Sequence, residues 1–174
     1  MTCACDAESA TLVRAVHELL QQRRATLAVA ESLTGGLVGE SLTALPGAST
    51  TFRGGIIAYA TDVKTRLLGV PSSLLEARGA VDSEVATSMA AGVRDLLDAS
   101  YGLGLTGVAG PGPQEGKPAG TVHVALAGPA GQQARVSPRV PGDRVHVRKH
   151  AAGRALELLR RHLLGLSADA GWEQ

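Results

Sequence analysis

The chain has 174 residues, with 17 basic and 16 acidic side chains and a formal net charge of +1. This length suits a single domain over residues 1–174, with a core from about 6 to 164 and a loosely held tail over 165–174. Balanced charge and an aromatic content of only 2% disfavour a nucleic-acid partner, because the sequence has no dense basic block and few rings for base stacking. No signal segment or apolar run of about 18 residues is found, so we expect a cytoplasmic protein without a membrane partner.

The sequence offers no pattern typical of a metal site. Its two cysteines, Cys3 and Cys5, are separated by one residue, which is not the spacing of a zinc or redox motif. His146 and His150 share a predicted helix face, but only Asp143 lies near them among the acids. A solvated helix face explains this pair better than a metal site, so no metal is expected.

Hydrophobic periodicity and turn residues predict helices alternating with strands in the first part of the chain, followed by a hairpin and a last helix. Helices are expected at 6–24, 36–44, 61–69, within 71–78, at 82–99 and at 143–164. Strands are expected at 26–30, 54–60, 101–106, 121–126 and 133–140, and the leading glycines of the second indicate a bulge or a close backbone approach. Leu67, Leu96 and Val145 are among the expected buried positions. This order predicts an α/β protein, a three-layer α/β/α sandwich with a mixed sheet of about five or six strands.

Residues 30–39 form a predicted turn from the first strand into the second helix. Free N–H groups at a helix start carry the positive end of the helix dipole and attract anions. Ser32 and Thr34 place hydroxyls beside these donors, while Gly35 and Gly36 allow close approach and a positive φ. The stretch either binds a ligand or is simply a cap and tight turn, since Ser, Thr and Gly are common in both.

Two later features also suggest a site. Lys64 lies near the start of a short helix, where a cation opposes the helix dipole, and it follows Tyr59 by five residues. A solvated side chain is the simple alternative for this lysine. Residues 107–120 are rich in Gly and Pro, which indicates a long loop that either binds a ligand or only connects two strands.

These residues permit one kind of nucleophilic catalysis. Neither a dinucleotide fingerprint nor a P-loop is present, and Ser32 does not stand on a G-x-S-x-G elbow. A Ser-Lys arrangement remains, with Ser32 as nucleophile and Lys64 as the base, on condition that burial and nearby helix dipoles lower the pKa of the lysine. Tyr59 would relay a proton or position the group, and the amides of residues 34–36 would hold the oxyanion.

Several separated motifs resemble the C-terminal domain of the competence/damage-inducible CinA family, over about residues 12–164. The motifs are Glu31-Ser32-Leu33-Thr34-Gly35-Gly36, Gly54-Gly55-Ile56-Ile57-Ala58-Tyr59, Val63-Lys64, Leu67-Leu68-Gly69-Val70, Gly79-Ala80-Val81, Thr106-Gly107-Val108-Ala109-Gly110-Pro111-Gly112 and Lys117-Pro118-Ala119-Gly120-Thr121-Val122. The family includes stand-alone nicotinamide-nucleotide amidohydrolases. The chain resembles that form, since its length leaves no room for the family's larger N-terminal domain.

The resemblance implies deamidation of nicotinamide mononucleotide to nicotinate mononucleotide and ammonia, in pyridine nucleotide salvage and without a cofactor. It implies a small-molecule nucleotide as partner and leaves a homo-oligomer open. Ser32, Tyr59 and Lys64 match the proposed catalytic group. The expected substrate-binding residues are Glu31, Thr34, Gly35, Gly36, Thr106, Gly107, Gly110 and Gly112. From charge and placement, Lys117 or Arg144 would pair with the phosphate, with surface solvation as the alternative for both.

The chain also departs from the family pattern. Leu33 stands where the family often has Cys, and Ala60-Thr61-Asp62 stands where Ser-Asn-Glu is frequent. The second change alters the surroundings of Lys64. A competing hypothesis is a catalytically silent, ligand-binding or regulatory domain linked to competence or the DNA damage response. Retention of Ser32, Tyr59 and Lys64 favours the enzyme.

Overall fold

The computed structural model describes residues 4–168, with side chains from residue 9 onward. Cys3 and the part of the expected tail beyond residue 168 lie outside this range. Six α-helices are present in the described part: α1 (Ala4–Gln22), α2 (Leu37–Thr43), α3 (Thr61–Leu68), α4 (Ser72–Arg78), α5 (Ser83–Leu96) and α6 (Arg144–Leu163). Its five strands are β1 (Leu27–Glu31), β2 (Phe52–Ile57), β3 (Tyr101–Gly107), β4 (Val122–Ala127) and β5 (Gln133–Val136). None of the helices in residues 4–168 is long and apolar enough to cross a membrane.

The five strands form one mixed sheet in the order β2-β1-β3-β4-β5. β1 runs parallel to both β2 and β3, whereas β4 and β5 are antiparallel additions. After β1 the chain turns into α2 toward β2, and after β3 it leads toward β4 on the other side. The carboxyl ends of β1 and β3 therefore border a crevice where the chain direction diverges, the usual ligand position in such sheets.

The two faces of the sheet are packed differently. Large residues of β1, β3 and β4 pack on one face against α1, α2 and α6, for example Leu27, Leu103 and Leu105. The other face presents Ala and Gly to α5. A Cβ on Gly104 would lie 2.2 Å from the carbonyl oxygen of Ala86, so only glycine lets the α5 backbone approach so closely. The predicted three-layer α/β/α architecture is thus confirmed.

Some element boundaries differ from the prediction. β2 extends from Phe52 to Ile57, and it ends there because β1, with which it pairs in the described sheet, ends at the pair Glu31–Ile57. The register of the β1–β2 pairing shifts between Leu27, which pairs with Phe52, and Ala28, which pairs with Gly54. This irregularity beside Gly54 was predicted from the sequence and is confirmed. β5 ends at Val136 rather than at residue 140.

Three residues expected in the core are exposed instead: Leu67 by 49%, Leu96 by 52% and Val145 by 58%. In α3 the next residue, Leu68, faces inward, and in α6 the buried stripe starts at Val147. A shift of one or two residues turns a helical side chain by about 100° or 200°, enough to move it out of the core.

Candidate active site

The turn after β1 is tight and depends on its glycines. The N–H of Ser32 donates to the carbonyl oxygen of Leu105 at 3.1 Å, which ties the turn to β3. Gly35 and Gly36 have φ values of +62° and +102°, in the left-handed region that favours glycine. The Gly35 N–H donates back to the Ser32 carbonyl oxygen at 3.1 Å. The predicted strand-to-helix turn therefore presents Ser32 on a hydrogen-bonded backbone.

Glu31 has a different role from the expected substrate contact. Its side chain is only 2% exposed, and its carboxylate accepts the N–H groups of Gly36, Val38 and Gly39 at 2.9, 3.2 and 2.9 Å. A buried carboxylate on these amides satisfies the free donors at the start of α2 and complements its dipole. The N-terminus of α2 is therefore occupied by the protein itself, and Gly36 has no free amide for an oxyanion.

The structure brings Lys64 to Ser32. The Lys64 side chain extends from α3 and is 1% exposed. Its Nζ lies 3.2 Å from Ser32 Oγ and donates to the carbonyl oxygen of Ala58 at 2.7 Å. Burial lowers the pKa of Lys64 from its ordinary value, and the negative charge of Glu115 opposes this by raising it.

This geometry suits activation of a nucleophile. A neutral Lys64 amine can keep one N–H on the Ala58 carbonyl oxygen while its lone pair accepts the Ser32 hydroxyl proton. Desolvation favours that neutral form, because burial penalises the ammonium ion. The Ser32–Lys64 pair thus has the contact and the electrostatic surroundings that a nucleophile and its base require.

A cavity of about 300 Å³ opens beside Ser32 at the carboxyl ends of β1 and β3. This volume is at the low end of small-molecule sites. Of the expected substrate-binding residues, the loop after β3 and the end of that strand line it: Thr106, Gly107, Gly110 and Gly112. Thr106 also donates from its hydroxyl to the carbonyl oxygen of Ala80 at 2.7 Å, which fixes the opposite wall.

The other expected substrate-binding residues are not in the cavity wall. Glu31, Thr34, Gly35 and Gly36 support the turn behind Ser32 rather than lining the cavity. The hydroxyl of Thr34 is buried and has no hydrogen-bond partner among the described residues. Of the three amides predicted to hold the oxyanion, those of Gly35 and Gly36 are already hydrogen-bonded, and only the Thr34 N–H has no partner among the described residues.

Tyr59 and Arg144 meet at the cavity wall. Arg144 donates to the Tyr59 hydroxyl and to the Gly110 carbonyl oxygen, both at 3.0 Å, and both side chains line the cavity. Tyr59 is 61% exposed. Within residues 4–168, no hydrogen bond joins its hydroxyl to Ser32 or Lys64. The structure therefore places Tyr59 with Arg144, whereas a proton relay would require it at the pair.

Of the two cations expected at a phosphate, only Arg144 lines the cavity. The Lys117 Nζ donates to the carbonyl oxygen of Arg78 at 2.7 Å and also to that of Val81. These bonds tie the long loop to the segment before α5. Lys117 therefore has a structural contact that a phosphate would have to displace.

Arg148 and Glu115, which support the site from outside the cavity wall, were not predicted from the sequence. Arg148 donates from Nε to the carbonyl oxygen of Leu33 at 3.0 Å and from Nη2 to that of Thr34 at 2.7 Å. Glu115 accepts the N–H of Ala80 at 2.8 Å. Arg148 follows Arg144 by four residues, about one helical turn, and lies on the same face of α6. This spacing could have indicated from the sequence that Arg148 lies near the site. Glu115 lies within the predicted loop and carried no distinguishing pattern.

The fold and site together define an α/β/α domain with a serine and a buried lysine in contact at a strand-to-helix turn beside a small cavity. A family model described as the CinA C-terminal domain matches residues 9–163. The chain belongs to this family, which confirms the resemblance found in the sequence.

Curated relatives share much of the sequence. A CinA-like protein of Frankia casuarinae is 61% identical over 148 residues, which is 85% of this chain and 34% of the relative. A CinA-like protein of Desulfovibrio desulfuricans is 51% identical over 161 residues, 90% of this chain and 38% of the relative. The chain thus spans little more than a third of the length of these relatives.

Solved structures match over almost their whole length. A competence-damaged protein (CinA) superfamily protein from Klebsiella pneumoniae has a TM-score of 0.87 at 29% identity, covering 90% of this chain and 98% of that one. A superfamily protein from Escherichia coli has a TM-score of 0.85 at 30% identity, covering 94% of both chains. The similarity confirms the mixed-sheet α/β fold.

Proposed function

We propose that this chain hydrolyses the carboxamide of nicotinamide mononucleotide, giving nicotinate mononucleotide and ammonia, in cytoplasmic pyridine nucleotide salvage. The observation that carries the proposal is the 3.2 Å contact between Lys64 Nζ and Ser32 Oγ, made by a lysine that is 1% exposed. A buried lysine with a lowered pKa is costly to the fold and is characteristic of catalytic bases. Membership of a family that includes such amidohydrolases supports the choice of substrate.

The reaction follows from this geometry in two halves. Ser32 Oγ attacks the carboxamide carbon as its proton passes to Lys64 Nζ, and the carbonyl oxygen becomes an oxyanion. The C–N bond then breaks, Lys64 returns the proton to the leaving nitrogen, and ammonia departs from an acyl-Ser32 ester. Water attacks that ester with Lys64 again accepting a proton, which releases nicotinate mononucleotide and restores Ser32. The proposal requires neither a metal nor an organic cofactor.

Arg144 supplies the cation that the substrate's phosphate requires. Its guanidinium lines the same cavity as Ser32, and a guanidinium forms strong, directional hydrogen bonds to phosphate oxygens. Tyr59 holds this guanidinium through its hydroxyl. In the proposal, Ser32 and Lys64 perform the chemistry, whereas Arg144 and Tyr59 bind the far end of the nucleotide.

The test is ammonia release from nicotinamide mononucleotide by wild type, Ser32→Ala and Lys64→Met. Loss of the nucleophile or of its base lowers kcat/KM by a factor on the order of 10³ or more. Lys149→Met is the matched control, because Lys149 is an exposed lysine of α6, and it keeps wild-type activity. In wild type, kcat/KM rises with pH as Lys64 loses its proton, and burial places this rise below the ordinary lysine pKa of 10.5.

Two results contradict the proposal in different ways. Activity retained by Ser32→Ala or Lys64→Met excludes the Ser-Lys mechanism. A folded wild type that binds the nucleotide without releasing ammonia supports the competing hypothesis, a catalytically silent ligand-binding or regulatory domain.

A further inference from the structure

Arg148 contacts the turn that carries Ser32 in an unusual way. Its Nε and Nη2 donate to two successive carbonyl oxygens, those of Leu33 and Thr34, at 3.0 and 2.7 Å. A Cβ on Gly35 would lie 3.2 Å from Nη2, so glycine leaves room for the guanidinium. One planar cation thereby holds two neighbouring peptide groups, which a lysine ammonium cannot match in geometry.

Holding these carbonyl groups also orients the amides. In a trans peptide the C=O and the N–H of the same group point to opposite sides. The Leu33 carbonyl shares its peptide group with the Thr34 N–H. Because the carbonyl oxygen points to α6, the Thr34 N–H points away from α6. Lys64 extends from α3, which packs on the opposite face of the sheet from α6, so the amide is directed toward the side from which Lys64 reaches Ser32.

The remaining amides of the turn narrow the choice of oxyanion donors. The Gly35 N–H donates to the Ser32 carbonyl oxygen, and the Gly36 N–H donates to Glu31. The N–H groups of Leu33 and Thr34 donate to no acceptor within the described residues. These two donors are the nearest free amides to Ser32 along the chain.

We infer that Arg148 is a positioning residue that fixes the Leu33–Thr34 peptide so that its N–H stabilises the oxyanion formed when Ser32 is acylated. The inference rests on the proposed function for its substrate, but the orientation of the peptide is independent of it. A fixed dipole of this kind acts mainly in the transition state, because the negative charge on the oxygen develops there.

The first test measures nucleophilic attack by Ser32 without the nucleotide, as phosphonylation of its hydroxyl. An alkyl fluorophosphonate reacts when Ser32 Oγ forms a bond to phosphorus, fluoride leaves and the serine proton passes to Lys64, with the phosphoryl oxygen in the oxyanion site. Wild type and Lys149→Met are expected to be labelled at equal rates, and Ser32→Ala not at all. Arg148→Met is expected to be labelled at least about tenfold more slowly, in the range for weakening one oxyanion donor.

The second test separates catalysis from binding. With nicotinamide mononucleotide, Arg148→Met lowers kcat by about 10- to 100-fold and leaves KM within about threefold of wild type, because ground-state contacts are unchanged. Arg148→Lys keeps the charge and the aliphatic stem but not the double contact, and gives intermediate rates. If Arg148→Met does not fold, as judged by circular dichroism, Arg148→Lys decides the question by the same two measurements.

The outcomes distinguish this inference from the proposed function. Wild-type protein that is labelled at Ser32 but releases no ammonia refutes the proposed substrate, while slow labelling of the Arg148 variant still supports its role. A folded Arg148 variant with wild-type labelling and kcat overturns the inference, as does a raised KM with unchanged kcat. Wild type that resists labelling overturns the role of Ser32 as nucleophile and this inference with it.

Discussion

The turn after β1 and the loop after β3 border the same cavity, yet they are built in opposite ways. In the turn after β1, Glu31 and Thr34 are buried. The carboxylate of Glu31 and most backbone groups of the turn form hydrogen bonds within the protein. In the loop after β3, residues 111–116 are exposed. Two side chains of that loop, Glu115 and Lys117, make hydrogen bonds to the backbone of residues 78–81.

In the proposed function, this difference corresponds to two tasks, catalysis at the turn and recognition of the substrate at the loop. A nucleophile and its base must be held in fixed geometry and away from water, since both proton transfer and a lowered lysine pKa depend on that. A surface loop can be exchanged or rearranged with less effect on the core, and it suits recognition of the substrate. We therefore expect changes in the turn to affect folding and kcat, and changes around the loop to affect KM and pH dependence.

Among the changes that test this contrast between turn and loop, the largest effect is expected for Glu31→Gln. The glutamine amide has one oxygen to accept the three backbone N–H groups that the two carboxylate oxygens accept in wild type. Its NH₂ group would face a backbone N–H, and two donors cannot form a hydrogen bond with each other. The free energy of unfolding falls by about 2–3 kcal/mol, the range for a lost charged hydrogen-bond acceptor, and kcat falls with it. Urea denaturation and ammonia release measure both effects. Glu40→Gln, an exposed acid in the first turn of α2, changes stability by less than about 0.5 kcal/mol; equal effects for the two variants would contradict the role of Glu31.

Arg144→Met breaks recognition and leaves the turn intact. Loss of a charged hydrogen bond worth about 1.5–3 kcal/mol raises KM about 10- to 100-fold, with a smaller change in kcat. Steady-state kinetics with nicotinamide mononucleotide measure the effect, and nicotinamide riboside, which lacks the phosphate, is expected to be hydrolysed equally by both proteins. The control is Arg66→Met, since Arg66 is an exposed arginine of α3 paired with Asp62. An unchanged KM would assign the phosphate to another group.

Glu115→Gln links the loop to the buried lysine. The charge of Glu115 raises the Lys64 pKa against the larger effect of burial, so its removal lowers that pKa further. More Lys64 is then neutral at a given pH, and the acid limb of the kcat/KM profile moves to lower pH. The glutamine oxygen still accepts the Ala80 N–H, so the plateau rate is retained. Glu76→Gln, an exposed acid of α4, is the control; a shift to higher pH would contradict the assignment.

The smallest effect is expected for Thr34→Val. The Thr34 hydroxyl is buried without a partner in the described structure, and such a group costs about 1–3 kcal/mol. Its replacement by a methyl group of similar size raises the free energy of unfolding by up to about 1 kcal/mol and leaves kcat unchanged, because the amide is retained. Thr51→Val provides the contrast, since the Thr51 hydroxyl is hydrogen-bonded to His17 at 2.8 Å and its loss is destabilising. A large fall in kcat for Thr34→Val would assign the hydroxyl to the reaction.

The fold could largely be predicted from local patterns. Every predicted strand is present, and the helices are close to their expected places. The errors lie at strand ends and at single apolar positions such as Val145. Strand ends depend on the length of the neighbouring strand, and one residue decides which side of a helix is buried. Neither property is encoded in the segment itself.

By itself the sequence determined that Ser32 stands on a glycine-rich turn between a buried strand and a helix, because cap, turn and periodicity signals act over a few neighbouring residues. It also marked Lys64 as a cation that packing did not explain. Only the tertiary structure decided that Lys64 contacts Ser32 across 32 residues of sequence and that Arg148 contacts Leu33 across 115. It likewise assigned Glu31 to the helix start. Such contacts depend on which strands are adjacent in the sheet and on which face of the sheet each helix covers. The strand order and the helix positions are in turn decided by the balance of burial and hydrogen bonding over the whole chain.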